Sequence, residues 1–251
     1  MFIFIKIMNQ AHSEIHDYPI DYKLFPLAKE CEELTIVVNE GEYLIIPYGW
    51  HHWVFTDPKT LSISYTITNI EFNNIDNVFY DSLVNNIPYV GKMKNRINIT
   101  YESFYNSALG KRCCCIFSET NQCCPVYKTY KHNTFECNGI LNNIVNITNH
   151  HNFYTYIGME PIREDSILHE YNKIETFIDE PIYDKIEYEA FLWFTLDKEV
   201  DSGLHYDSTS NIIYVIEGKK TVRLFHPDQR KNLYIKDHEK INTHYIDGSI
   251  K

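Results

Sequence analysis

His205 and Asp207, one residue apart, are the pair in this chain best placed to do chemistry. In a strand, residues i and i+2 face the same way, so an imidazole and a carboxylate at this spacing can hold one metal ion together. The third ligand must then come from another strand. His52, in the string Pro47-Tyr-Gly-Trp50-His-His52-Trp-Val54, is the best candidate. Two imidazoles and one carboxylate on one face of an octahedron suit Fe(II). They leave three positions open, enough for a bidentate 2-oxo acid and O2, and no cysteine ligand is needed. The spacing alone is a weak signal, because the chain has 12 histidines and a His-x-Asp pair arises easily by chance.

Context raises the odds. The C-terminal string runs Phe191-Leu-Trp193, Ser202-Gly-Leu-His205-Tyr-Asp207, Asn211, Ile216-Glu-Gly-Lys-Lys220-Thr-Val-Arg-Leu-Phe225-His-Pro227 and Leu233-Tyr234. It closely resembles the JmjC-type, cupin-fold 2-oxoglutarate oxygenases. The likeness is greatest to their small hydroxylase branch, which includes the asparaginyl hydroxylase that inhibits hypoxia-inducible factor and the tRNA wybutosine hydroxylase. A second string, Phe25-Pro26, Gly41-Glu-Tyr-Leu-Ile-Ile-Pro47, Trp50-His-His52-Trp-Val54 and Ser62-Ile-Ser64, resembles the other half of the same domain.

The resemblance implies a double-stranded β-helix (cupin, jelly-roll), mainly β with flanking helices, and implies roles residue by residue. His205, Asp207 and His52 take the metal-ligand positions. Adjacent His51 is the rival of His52, and the family's Pro-x-x-Trp-x-His spacing favours His52. Lys220 falls where the family places the base that pairs with the far carboxylate of 2-oxoglutarate, while Lys219 fits a solvated charge beside a turn. Ser202 sits where a hydroxyl helps hold that carboxylate, and Asn211 where a residue borders the cosubstrate. Thr66 stands about where some members carry an Asn near the metal. A Tyr from an earlier strand often completes the carboxylate pocket, and Tyr154 and Tyr156 are the candidates. Trp50 and Trp53, flanking the proposed ligand, read as packing around the metal.

The two halves occur in reversed order. In the family the His-x-Asp comes first and the Pro-x-x-Trp-x-His follows, whereas here no such motif follows Asp207. Three readings compete. The domain is circularly permuted, cut in the loop between its halves, where cuts are best tolerated. Or one chain's N-terminal half completes a neighbour's C-terminal half, as in a domain-swapped homodimer. Or the halves are remnants of tandem copies. The first is favoured, because each half is present once and both keep their ligands. It makes 1–251 one permuted domain: 1–70 the second half of the β-core, 71–190 a mixed region, 191–251 the first half.

The elements that must position these residues are legible in part. Leu34–Val38, Tyr43–Ile46 and Leu61–Thr68 read as strands, the last by its alternation as a half-buried one. Tyr101–Leu109 predicts a helix stopped by Gly110. Cys113–Phe117 predicts a strand, and 147–157 and 166–178 predict helices. Ala190–Thr195, Asn211–Ile216 and Thr221–Phe225 predict strands, with a tight turn at Glu217-Gly218-Lys219.

Composition bounds the function. The 251 residues, 44% hydrophobic and 15% aromatic, can build a sizeable core. The net charge of −11 repels phosphate backbones and favours a basic peptide over RNA. Seven cysteines without a leader point to reduced thiols in an intracellular, cytoplasmic or nuclear, compartment, and no membrane segment is expected. Cys113-Cys-Cys115, Cys123-Cys124, His132 and Cys137 lack a zinc knuckle and read as free thiols. His16, His150 and His151 read as surface residues, and the Asn98 and Asn146 glycosylation patterns as chance matches.

The function expected is Fe(II)- and 2-oxoglutarate-dependent hydroxylation, with O2 consumed and a protein side chain as substrate. An RNA nucleoside, then demethylation of methyl-lysine, follow as alternatives with the same metal chemistry. A cupin that binds without turnover is the alternative of a different class.

Overall fold

A computed structural model describes residues 11–70, 78–93, 98–123, 134–162, 164–174 and 186–235. The N-terminal strands are β1 (Ala11–His12), β2 (Glu33–Asn39), β3 (Glu42–Ile46), β4 (His51–Thr56) and β5 (Leu61–Ile70). A mixed region follows: α1 (Val78–Val84), β6 (Tyr89–Lys92), α2 (Tyr101–Ala108), β7 (Arg112–Ser118), β8 (Thr134–Ile140), α3 (Leu141–His151) and β9 (Tyr154–Pro161). The C-terminal strands are β10 (Ile186–Thr195), β11 (Val200–Asp201), β12 (His205–Tyr206), β13 (Ser210–Glu217) and β14 (Lys219–Phe225).

These strands form two antiparallel sheets, the jelly-roll arrangement expected. One runs β1-β12-β4-β14-β2, with β11 also pairing β4; the other runs β6-β3-β13-β5-β10-β9-β7-β8. N-terminal and C-terminal strands alternate: β12 lies between β1 and β4, β14 between β4 and β2, β13 between β3 and β5. The short turns between β2 and β3 and between β13 and β14 do not close hairpins within a sheet. They pass the chain from one sheet to the other. Gly41 and Gly218 make these turns at φ +79° and +89°, where a side chain is strained. At Gly218 a Cβ would also sit 2.8 Å from Thr60 Cα.

Strand alternation sorts the residues into layers. Between the sheets, Val38, Leu44, Ile46, Val54, Val215, Val222 and Leu224 form an apolar plug. The outer face of the larger sheet packs Ile63, Tyr65, Leu192, Phe194, Ile212 and Tyr214 against α2 and α3. Phe104 of α2 meets Phe194 edge-on at 5.4 Å. The outer face of the smaller sheet is covered by Ile15, Ile20, Ala28 and Leu233, which pack on Trp53 and Phe225. The polar face of β5, read from its alternation as the less buried one, does not meet solvent. Instead Ser62 and Thr66 are buried, because that face lines an internal cavity.

Two expected helices are corrected. The helix near 147–157 is α3, shifted upstream; Asn152, left-handed at φ 56°, ends it, and the β-prone run from Tyr154 becomes β9. Of 166–178, the described part forms only a 3₁₀ turn at His169–Asn172, and 175–178 lie outside the described residues. The helix at 101–108 stands as expected, with Thr100 and Ser103 forming a reciprocal cap. Among the described residues, no helix is long and apolar enough to cross a membrane.

Candidate metal centre

Strand β4 points His51, Trp53 and Phe55 outward and His52, Val54 and Thr56 inward, as its period of two requires. Strand β12 lies beside it with His205 as the direct register partner of His52. Their ring centroids are 4.2 Å apart. Asp207 follows two residues on, and His52 Nε2 lies 3.4 Å from Asp207 Oδ2. All three residues are buried, with one potential ligand atom from each lying within 4.8 Å of the others. One chain therefore brings the three expected ligands together.

Both imidazoles are oriented in the same way. His52 Nδ1 lies 3.0 Å from the Trp50 carbonyl, and His205 Nδ1 lies 2.8 Å from the Gly203 carbonyl. A carbonyl can only accept, so each Nδ1 carries the hydrogen and donates. Each Nε2 is left with its lone pair for a metal. Burial, then the neighbouring His52, push the His205 pKa down to about 4, against the opposing pull of Asp207. The ring is thus neutral near pH 7, the form a ligand needs.

The carboxylate is held by a short relay. Thr66 Oγ1 donates to Asn211 Oδ1 at 3.0 Å, and Asn211 Nδ2 donates to Asp207 Oδ2 at 2.5 Å. Thr66 and Asn211 are register partners on β5 and β13, so the relay follows from strand pairing. Thr66 thus acts on Asp207 through Asn211.

The same cavity, about 650 Å³ including its open mouth, is lined by Ile46, Val54 and Ile213, by Ser62 and Ser64, and by Lys220. Lys220 is only 3% exposed. Its Nζ donates to Tyr156 Oη at 2.9 Å and to Thr56 Oγ1 at 3.3 Å. Among the described residues no carboxylate lies within ion-pair reach of it. A buried cation with only neutral partners is costly, and an anion entering the cavity would offset that cost.

The remaining candidates sort clearly. Ser202 lines the cavity, its Oγ accepting from Val54 N at 3.2 Å. Of the two tyrosines, Tyr156 reaches Lys220. Tyr154 lies under Lys198 instead, 4.4 Å from its Nζ to the ring, and is not among the cavity-lining residues. His51 faces away from His52, against Tyr206 at 5.4 Å, and burial lowers its pKa to about 4. Lys219, half-exposed, pairs with Asp57.

Sequence reasoning passed over His12. It is the register partner of His205 on the other side, buried, with its ring stacked on that of His205 at 5.4 Å and 19°. No spacing links residue 12 to the motif, and only the pairing of β1 with β12 reveals it. Among the described residues the cysteines form no metal cluster: Cys115 faces Cys137 across β7 and β8, while Cys123 packs with Ile116, Tyr156 and Val200. Burial and neighbouring Glu136 push the Cys114 thiol up to about 12, an unreactive state. Cys124 and His132 lie outside the described residues.

The fold has a family counterpart. Residues 92–248 match the family described as a Cupin-like domain, and the chain belongs to that family. The match includes His205 and Asp207 but begins 40 residues after His52, which the fold returns to them. JmjC domain-containing protein L887 of Acanthamoeba polyphaga mimivirus is 26% identical over 231 residues, covering 82% of this chain and 36% of the relative. The chain thus spans little more than a third of the curated relative's length. No solved structure matches it.

Proposed function

We propose that the protein is an Fe(II)- and 2-oxoglutarate-dependent oxygenase that hydroxylates a protein side chain. One observation carries this reading: His52, His205 and Asp207 converge on the wall of an open cavity that also holds the buried Lys220. The donor set fits Fe(II), since two imidazole Nε2 atoms and a carboxylate oxygen make a hard, three-sided site. Iron bound there would supply the oxygen chemistry, activating O2 while 2-oxoglutarate is oxidised to succinate and CO2.

The chain's own residues bind, orient and exclude water. Lys220 binds the far carboxylate of 2-oxoglutarate as a charge-assisted pair. The Tyr156 hydroxyl, beside Nζ, can turn to donate to the same carboxylate, and Ser202 lines its path. Thr66 and Asn211 keep Asp207 aimed. Ile46, Val54 and Ile213 keep the wall apolar, which strengthens each of these polar contacts. No general acid or base is required.

The substrate reading rests on charge. A net −11 repels a nucleic-acid backbone and attracts a basic peptide. A binding module without turnover is less well supported, because the cavity is open and keeps both the ligand set and the cation. The extent of the family match supports the permuted reading: it begins at residue 92, beyond β5, and takes in His205 and Asp207.

Mass spectrometry of a basic peptide library incubated with the protein, Fe(II) and 2-oxoglutarate tests the substrate class. A gain of one oxygen atom that requires both cofactors and is lost in Asp207→Ala is the expected result. Oxygen incorporation into RNA nucleosides alone would contradict it.

A further inference from the structure

We propose that Asp201 is a positioning residue for the metal centre, its buried carboxylate tying the strand that carries His52 to the turn that leads into His205. This rests on the metal-centre reading above. Asp201 is 2% exposed. Its Oδ1 accepts from the Trp53 indole N–H and, at 2.6 Å, from the Gly203 backbone N–H. Each donor adjoins a ligand. Trp53 follows His52 in β4, and Gly203 supplies the carbonyl that orients His205 Nδ1.

Asp201 is itself anchored. Its backbone N–H donates to the Asn121 carbonyl at 2.7 Å, and its carbonyl accepts from Cys123 N at 2.8 Å. Strand β11 pairs with β4, setting Asp201 opposite Phe55. The carboxylate thus joins the ligand strand and the ligand turn at a fixed point. Burying a carboxyl is costly, and packing alone would be served by an apolar residue. Two donors on one oxygen, each leading to a ligand, give the group a reason to be there. Loss of the side chain frees the Gly203 turn, so that the His205 carbonyl partner shifts and the two Nε2 atoms lose their common focus.

Co(II), a spectroscopic stand-in for Fe(II), is titrated into wild type, Asp201→Ala, Asp201→Asn, Trp53→Phe and Leu141→Ala. Leu141 is buried among the helices away from the centre and serves as a stability control. Wild type is expected to bind one Co(II) per chain with a visible d–d band. Asp201→Ala should bind at least about tenfold more weakly with a shifted band, the usual scale for residues that orient ligands. Asp201→Asn, which keeps the acceptor, should retain affinity and band; Trp53→Phe should weaken binding. Leu141→Ala should melt earlier yet bind normally.

Unchanged affinity and band in Asp201→Ala, or equal weakening in Leu141→Ala, would overturn the proposal. If Asp201→Ala does not fold, Trp53→Phe decides, since it removes one of the two bonds and keeps a ring. Wild type that binds no Co(II) would instead sink the metal-centre reading, and this inference with it.

Discussion

Asn211 Nδ2 lies 2.5 Å from Asp207 Oδ2, and the Thr66 hydroxyl fixes the direction of that amide from the next strand. The metal carboxylate is thus held from behind by a side chain whose own orientation is determined. Asn211→Ala should weaken metal binding about tenfold or more, the scale for lost ligand support. Thr66→Val should have a smaller effect in the same direction, because the amide can then turn. Metal titration of both variants checks the order. A stronger effect from Thr66→Val would mean that the relay is misread.

Lys220 is a buried cation whose partners are a phenol and a hydroxyl. Removing one member of a buried charge pair costs about 2–5 kcal/mol, so Lys220→Met should bind 2-oxoglutarate at least about 30-fold more weakly. Metal affinity should be unchanged. Without ligand, the Met variant should be at least as stable as wild type, because an uncompensated charge has left the interior. Calorimetry with the metal-loaded protein and thermal melts of the apo form separate the two effects.

Asp201 also makes stability depend on pH. Burial, reinforced by Glu199 and Asp17, raises its pKa from 3.8 to about 7, against the hydrogen bonds from Gly203 and Trp53. The folded state therefore holds a proton that the unfolded state releases between pH 4 and 7. Its contribution is full below pH 4 and is lost as pH rises through 7. The span corresponds to something on the order of 4 kcal/mol. Asp201→Asn cannot ionise, so its stability relative to wild type should rise between pH 5 and pH 8. Urea unfolding at the two pH values reads this, and a constant difference would contradict it.

Much of the centre was legible in the sequence, because its ligands sit in short strings where strand periodicity dictates direction. The period of two pairs His205 with Asp207, while the choice of His52 over His51 came from the resemblance to the family's Pro-x-x-Trp-x-His string. The candidate pair Tyr154 and Tyr156 stayed open because both project from the same face of a strand that reads locally as helix. Only the Lys220 contact singles out Tyr156. His12 and Asp201 were illegible for another reason. Their significance lies in pairing between β1 and β12 and between β11 and β4, over sequence distances at which no local pattern operates. The alternation of β5 does not by itself say what its polar face meets: Ser62, Ser64 and Thr66 line a cavity rather than solvent, and only the resemblance placed Thr66 near the metal.

Gly218 carries the chain from β13, which holds Asn211, to β14, which holds Lys220. At φ +89° and with Thr60 packed against it, it tolerates no side chain. Gly218→Ala should lower stability by about 2–3 kcal/mol through strain and overpacking. A lower urea midpoint with an unchanged slope is the expected signature. A variant as stable as wild type would show that the turn relaxes freely.

The central claim is that His52, supplied by the N-terminal half of the chain, completes a working iron centre with His205 and Asp207. Succinate formation from 2-oxoglutarate, measured with added Fe(II) and without substrate, tests it most directly in wild type and His52→Ala. The account predicts iron-dependent succinate from wild type and only background from His52→Ala. Wild type that neither binds iron nor consumes 2-oxoglutarate, or a His52→Ala variant that keeps the wild-type rate, would contradict it.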